Sequence, residues 1–225
     1  MPNWVFNILR VKGSPREIKR FDDAFKGKPP QWPLQGFEKY GLTNEEVAEK
    51  IMKEKREYEA LEKDYCFNAL FPVPDHILEV GFDGGNFRRE LSFQEVVEAS
   101  RNPSKSFDGY SWCNANWGTK WDVYGGVKAE IGEDVATYTF DTAWSPPIGV
   151  FLYASRGFQL EFEILFKEEL IESAGRLRIL NGLLLEEEFY DPCEDKEAMI
   201  KFVEENIDED FRGLLEEIEA EIEQE

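Results

Sequence analysis

Histidine and cysteine are scarce in this chain. One histidine, His76, and three well-separated cysteines, Cys66, Cys113 and Cys193, stand among 225 residues. A zinc centre needs several such ligands at tight spacing, and none are so spaced. An odd cysteine count without a Cys-x-x-Cys pair argues against a disulfide framework. A Ser-His-Asp or Cys-His enzyme would have to rely on His76 alone. That residue follows Phe71-Pro72-Val73-Pro74-Asp75, a loop-like stretch where an ordinary loop histidine is expected. The expectation is no metal, no cofactor and no nameable catalytic residue. No apolar run approaches the length of a membrane span. Met1-Pro2-Asn3-Trp4 lacks the basic and apolar parts of a signal peptide, so the expected location is the cytoplasm. Basic residues are in the minority, 26 against 47 acidic, for a net charge of −21. That balance disfavours direct contact with nucleic acid or an anionic membrane surface. Phosphate-binding loops are missing as well: Gly81-Phe82-Asp83-Gly84-Gly85 reads as a turn.

What is present is a globular chain, 42% hydrophobic and 14% aromatic. Its charge is uneven. Residues 1–30 hold seven basic and three acidic side chains, net +4, whereas residues 186–225 hold three and eighteen, net −15.

Trp4 to Val11 has strand character, and Ser14-Pro15-Arg16-Glu17 then caps a helix carrying Ile18, Phe21 and Phe25, with Gly27 closing it. Residues 28–42 are loop, rich in Pro and Gly. Thr43-Asn44-Glu45-Glu46 is a capping box opening a charged helix of about twenty residues, half exposed because its apolar stripe is narrow. Phe67 to Pro74 reads as irregular, and Ser92-Phe93-Gln94-Glu95 caps a short further helix. Val127 to Thr142 is a hairpin turning at Gly132-Glu133-Asp134. Ser145-Pro146-Pro147 starts a helix through Ile148, Phe151 and Leu152, and Gln159 to Phe166 alternates as a strand. Asn181-Gly182 between apolar runs signals a second hairpin over Arg176–Leu185. Asp191-Pro192-Cys193-Glu194 caps a helix with Met199, Phe202 and Val203, and an apolar face continues through Ile207 to Ile222.

The order strand, helix, insertion, strand, strand, helix, strand predicts an α+β fold, a ferredoxin-like βαββαβ plait with an antiparallel sheet. Residues 1–185 would form the domain, with a helical insertion at about 28–110. Residues 186–225 would be an acidic helical extension packed on the core.

Four strings carry a resemblance: Met1-Pro2-Asn3-Trp4 with Asn7; Phe67-Asn68-Ala69-Leu70-Phe71-Pro72-Val73-Pro74; Trp112 to Asp122, especially Asn116-Trp117-Gly118-Thr119-Lys120-Trp121-Asp122; and Phe140-Asp141-Thr142-Ala143-Trp144-Ser145-Pro146-Pro147. In this order they resemble the YubB-type ferredoxin-like domain family of phages and plasmids, over residues 1 to about 168. The resemblance implies the same fold and a home on mobile genetic elements. It implies no established activity, so no catalytic residue carries over.

Two candidate sites follow. Asn116, Trp117, Thr119, Lys120, Trp121, Asp122, Asp141, Thr142 and Trp144 could line a small-molecule or catalytic pocket, polar groups beside indole faces. The same residues could instead be core, with Asn, Thr and Asp partnering indole N–H groups. The second candidate is the tail, whose Asp208, Glu209, Glu216, Glu217, Glu219 and Glu223 could face a partner. A basic host protein is the partner this charge suits. The leading expectation is a non-enzymatic accessory protein of a phage, prophage or plasmid that binds another macromolecule, in its sharpest form an acidic inhibitor of a basic host protein. A third route, bases stacking on Tyr138 and Phe140, would lack a basic surface. No oligomeric state follows from the sequence.

Overall fold

A computed structural model describes residues 3–32, 43–83, 108–169, 173–208 and 211. The further helix expected at Ser92, and residues 209–210 and 212–225 of the tail, lie outside these residues. The chain divides into two compact units: residues 1–20, 124–146 and 151–225 in one, residues 21–123 and 147–150 in the other.

The first unit is built on one six-stranded sheet. In chain order its strands are β1 (Trp4–Lys12), β4 (Tyr124–Ile131), β5 (Val135–Ala143), β6 (Glu161–Glu168), β7 (Ala174–Leu180) and β8 (Leu183–Tyr190). The spatial order is β4-β5-β1-β6-β7-β8, and each adjacent pair is antiparallel. The first four places reproduce the ferredoxin-like plait, β1 lying central between β5 and β6. Helices α1 (Pro15–Ala24) and α6 (Ile148–Ala154) occupy the expected places in the chain. The fold is thus ferredoxin-like, mixed helix and antiparallel sheet.

Alternation decides which face is core. Val5, Leu9 and Val11 of β1 are fully buried on one face, along with Tyr138, Phe162 and Ile164. Their buried position removes Tyr138, and Phe140 beside it, from any base-stacking role. On the opposite face, Leu165 and Ala174 bury against helix α7 (Pro192–Asn206) through Met199, Ile200, Phe202 and Val203, with Phe211 in the same cluster. Asp191 caps α7, its side chain accepting the Cys193 N–H at 2.7 Å. The β7–β8 turn has φ of 52° at Asn181 and 75° at Gly182, the left-handed pair that a two-residue hairpin requires. The sheet has six strands rather than four because this hairpin adds to the β6 edge. β8 also runs past Leu185 to Tyr190. Glutamates are poor strand formers, but here Arg176 and Arg178 on β7 sit opposite Glu188 and Glu186 and hold them in the ladder.

The second unit is mainly helical. Helix α2 (Asn44–Ala60) has the full capping box, Thr43 with Glu46, and none of its residues is buried. The first helix ends at Ala24 rather than Gly27, because Lys26–Gly27 is pulled out as strand β2 to pair with β3 (Asp64–Tyr65). Gly27 lies so close to Ala69 that an added Cβ would sit 2.8 Å from the Ala69 Cβ. The stretch read as irregular, Phe67 to Pro74, opens with a short helix, α3 (Phe67–Leu70), and a second, α4 (Asp75–Val80), follows it, with prolines 72 and 74 between the two. His76 is therefore an exposed helix residue rather than a loop one. Helix α5 (Gly109–Asn116) is capped by Asp108, whose carboxylate accepts the Ser111 N–H.

No helix among the described residues is long and apolar enough to cross a membrane.

Candidate functional site

Asn116 to Asp122 begins on the last residue of α5 and lies within the second unit, one residue short of the end of its 21–123 segment. Trp117 is fully buried, edge-on to Phe67 and Trp112, and its indole N–H donates to the Phe71 carbonyl at 2.9 Å. Asn116 donates from Nδ2 to the Trp112 carbonyl, closing its own helix. Thr119 is fully buried. Lys120 lies over the Trp121 ring, 4.4 Å from its centroid.

Asp122 reaches furthest. Oδ1 accepts the N–H of Phe67 at 2.6 Å and of Val123 at 2.9 Å, and Oδ2 accepts the Asn68 N–H at 3.2 Å. The carboxylate thus collects the free amides at the start of α3, so the Asp122 and Phe67-Asn68 strings meet. Burial pushes its pKa up to about 6, against the pull of those three donors. Asn68 in turn donates to the Lys28 carbonyl and accepts the Val73 N–H. The polar atoms named here tie one backbone segment to another.

Asp141, Thr142 and Trp144 belong to the first unit. Thr142 is buried: its hydroxyl accepts from Asn7 Nδ2 at 2.9 Å and donates to the Ser145 carbonyl at 2.9 Å. Asn7 belongs to the same buried chain and also donates to the Val5 carbonyl at 2.7 Å. Sequence reasoning had Asn7 only as a letter of the resemblance, because a partner 135 positions away leaves no local trace. Trp144 is 46% exposed and holds φ at 74°, a conformation uncommon for any residue but glycine. Asp141 is half-buried opposite Tyr124 and Phe6, and its pKa is raised by burial and then by the charge of Glu169. Trp4 and Tyr124 stack nearby in the sheet, ring centroids 4.0 Å apart.

Of the predicted tail residues, Asp208 is described, half-buried and paired with Lys167 Nζ at 2.8 Å. Glu209, Glu216, Glu217, Glu219 and Glu223 lie outside the described residues. The acidity of this region is visible earlier in the chain. Glu186, Glu187 and Glu188 on β8, and Glu194, Asp195, Glu197 and Glu205 on α7, are all exposed, with only Lys196 and Lys201 among them as exposed cations. The strand expected to end at Leu185 runs on to Tyr190, which places Glu186, Glu187 and Glu188 on β8.

The sheet face that bears Arg10 carries a charge lattice across four strands. Glu163 on β6 lies 3.3 Å from Arg10 on β1 and 3.7 Å from Arg176 on β7. Arg176 reaches Glu188 at 3.4 Å, while Arg178 bridges Glu161 at 3.0 Å and Glu186 at 2.6 Å. Between this lattice and α7 opens a cavity of about 560 Å³ lined by Arg176, Glu188, Tyr190, Lys201, Phe202 and Asn206 among others.

Residues 116–212 match the family model for the ferredoxin-like domain in Api92-like protein. The chain is also similar to the crystal structure of a protein Api92 from Yersinia pseudotuberculosis, with a TM-score of 0.54 over 84% of this chain and 98% of that one. Sequence identity there is 10%, so this likeness speaks for the fold alone. No curated protein matches the chain in sequence.

Proposed function

We propose that this is a non-enzymatic accessory protein of a phage, prophage or plasmid, and that it acts by binding a basic protein of its host. The observation that carries the reading is the exposed acidic surface of β8 and α7. Helix α7 buries Met199, Ile200, Phe202 and Val203 and leaves Glu194, Asp195, Glu197 and Glu205 exposed. Like charges gathered on one surface repel one another, a cost that folding alone does not call for. The mobile-element setting rests on the resemblance of the four strings to YubB-type domains.

The test is capture of host proteins on the full chain over a range of salt concentrations. A basic protein should be retained at low salt and released as the Debye length shrinks below roughly 8 Å. It should also be lost when Glu194, Glu197 and Glu205 are together replaced by Gln. Retention that ignores both changes refutes the reading, and a co-purifying metabolite would move weight to a small-molecule site among the residues of the tryptophan strings.

A further inference from the structure

We infer that the open edge of β8 takes up an extended segment of the basic partner as a seventh strand, with Lys or Arg at alternate positions and apolar residues between them. This inference rests on the reading above and gives it a place and a register.

β8 closes one end of the sheet order; among the described residues, β7 is its one strand neighbour. Sheet edges are ready templates for another strand, and natural edges are usually blunted. The opposite edge, β4, is blunted: its register breaks between Tyr124 and Lys128, where Gly125 and Gly126 hold φ of 71° and 88°. In β8 the one irregularity lies at the turn end, between Arg178 and Ile179 of its neighbour, and pairing from Glu186 to Tyr190 is regular.

The side chains then specify the newcomer. On one face the lattice alternates in sign strand by strand: Arg10 on β1, Glu163 on β6, Arg176 and Arg178 on β7, Glu186 and Glu188 on β8. It ends on an acidic row at the open edge. Opposite charges favour cross-strand neighbours, so the next row in the pattern is basic, at i and i+2. On the other face stand Leu184, opposite Ile179, and Phe189, opposite Gly175. They are 38% and 60% exposed, with Glu187 between them. Apolar residues of an added strand would cover both of these exposed side chains. A second copy of the chain fits badly, because an antiparallel β8–β8 pairing over 186–188 sets glutamate against glutamate.

The probe is a short blocked peptide alternating lysine with valine, titrated against the full chain by fluorescence anisotropy. Its control has the same composition with the lysines grouped at one end. The alternating peptide should bind about tenfold tighter, the summed effect of a few cross-strand charge pairs. N-methylating one alternate set of its amides should abolish binding and the other set should be tolerated, since only one set can bond to β8. Equal binding of the two peptides, or tolerance of both methylated sets, overturns edge pairing while leaving the acidic-surface reading standing. Absence of binding by any cationic peptide at low salt defeats both. Self-association of the chain that the peptide reverses assigns the edge to a second copy and overturns the proposal.

Discussion

Replacing Asp122 tests the tryptophan string as a fold device. Asp122→Ala strips the acceptors from three backbone N–H groups, those of Phe67, Asn68 and Val123. Phe67 is fully buried, so its amide has no water to turn to. Unpaired buried donors cost about 1–3 kcal/mol each, and the Asn68 and Val123 amides are partly wet, so the loss should be about 3 kcal/mol. Asp122→Asn keeps one carbonyl oxygen and should lose about 1 kcal/mol at pH 7. The pH dependence is the sharper reading. Burial raises the Asp122 pKa from 3.8 to about 6, so the folded chain holds this proton more tightly than the unfolded chain. The associated stabilisation is complete below pH 3.8 and is lost as pH rises through 6. At about 1.4 kcal/mol per pH unit it totals at most about 3 kcal/mol. About 1.4 kcal/mol of it falls between roughly pH 5 and 7.5, clear of the isoelectric point near 4.5. Urea unfolding followed by tryptophan fluorescence at stepped pH, wild type against Asp122→Asn, measures it. The wild-type advantage should shrink as pH rises. An advantage that grows would mean the three donors outweigh burial, and the reasoning would fail.

Trp117→Phe should cost about 3 kcal/mol, from lost volume and an unpaired Phe71 carbonyl, seen as a lower urea midpoint. Gly175→Ala should cost about 2 kcal/mol or more, because the new Cβ would stand 2.3 Å from the Glu188 carbonyl oxygen and 2.8 Å from the Phe166 ring; an unchanged midpoint would disprove the packing. Under native conditions a maleimide should modify Cys193 alone and leave Cys66 and Cys113, which are buried, for the unfolded chain. Burial pushes the Cys66 thiol up to about 12 and that of Cys113 up as well, so mass spectrometry showing fast double labelling would contradict the structure.

The plait was legible where local chemistry and periodicity agree. Alternation marked β1, β5 and β6, Thr43 with Glu46 marked α2, and Asn181-Gly182 marked the β7–β8 turn. The lower half of β8 was hidden because Glu186 to Glu188 are unfavourable in isolation and are strand only opposite Arg176 and Arg178. α3 and α4 were hidden by Pro72 and Pro74, which here separate two helices instead of marking a loop. Within the candidate site, residue types were visible and bonds were not. Asp122 meets the Phe67 amide 55 positions away, and Asn7 meets Thr142 at 135, separations that no sequence window spans.

The central place of β1 has a consequence for synthesis. Its partners, β5 and β6, are encoded more than a hundred residues after it, with Trp4 opposite Ala143 and Val5 opposite Glu168. A ribosome adding about 5–20 residues per second leaves β1 emergent and unpaired for roughly ten seconds. During that interval Val5, Leu9 and Val11, fully enclosed in the finished molecule, are open to chaperones and to other nascent chains. The central strand of this sheet is born first and waits for both neighbours, and its assembly should be slow, as for other topologies dominated by distant pairings.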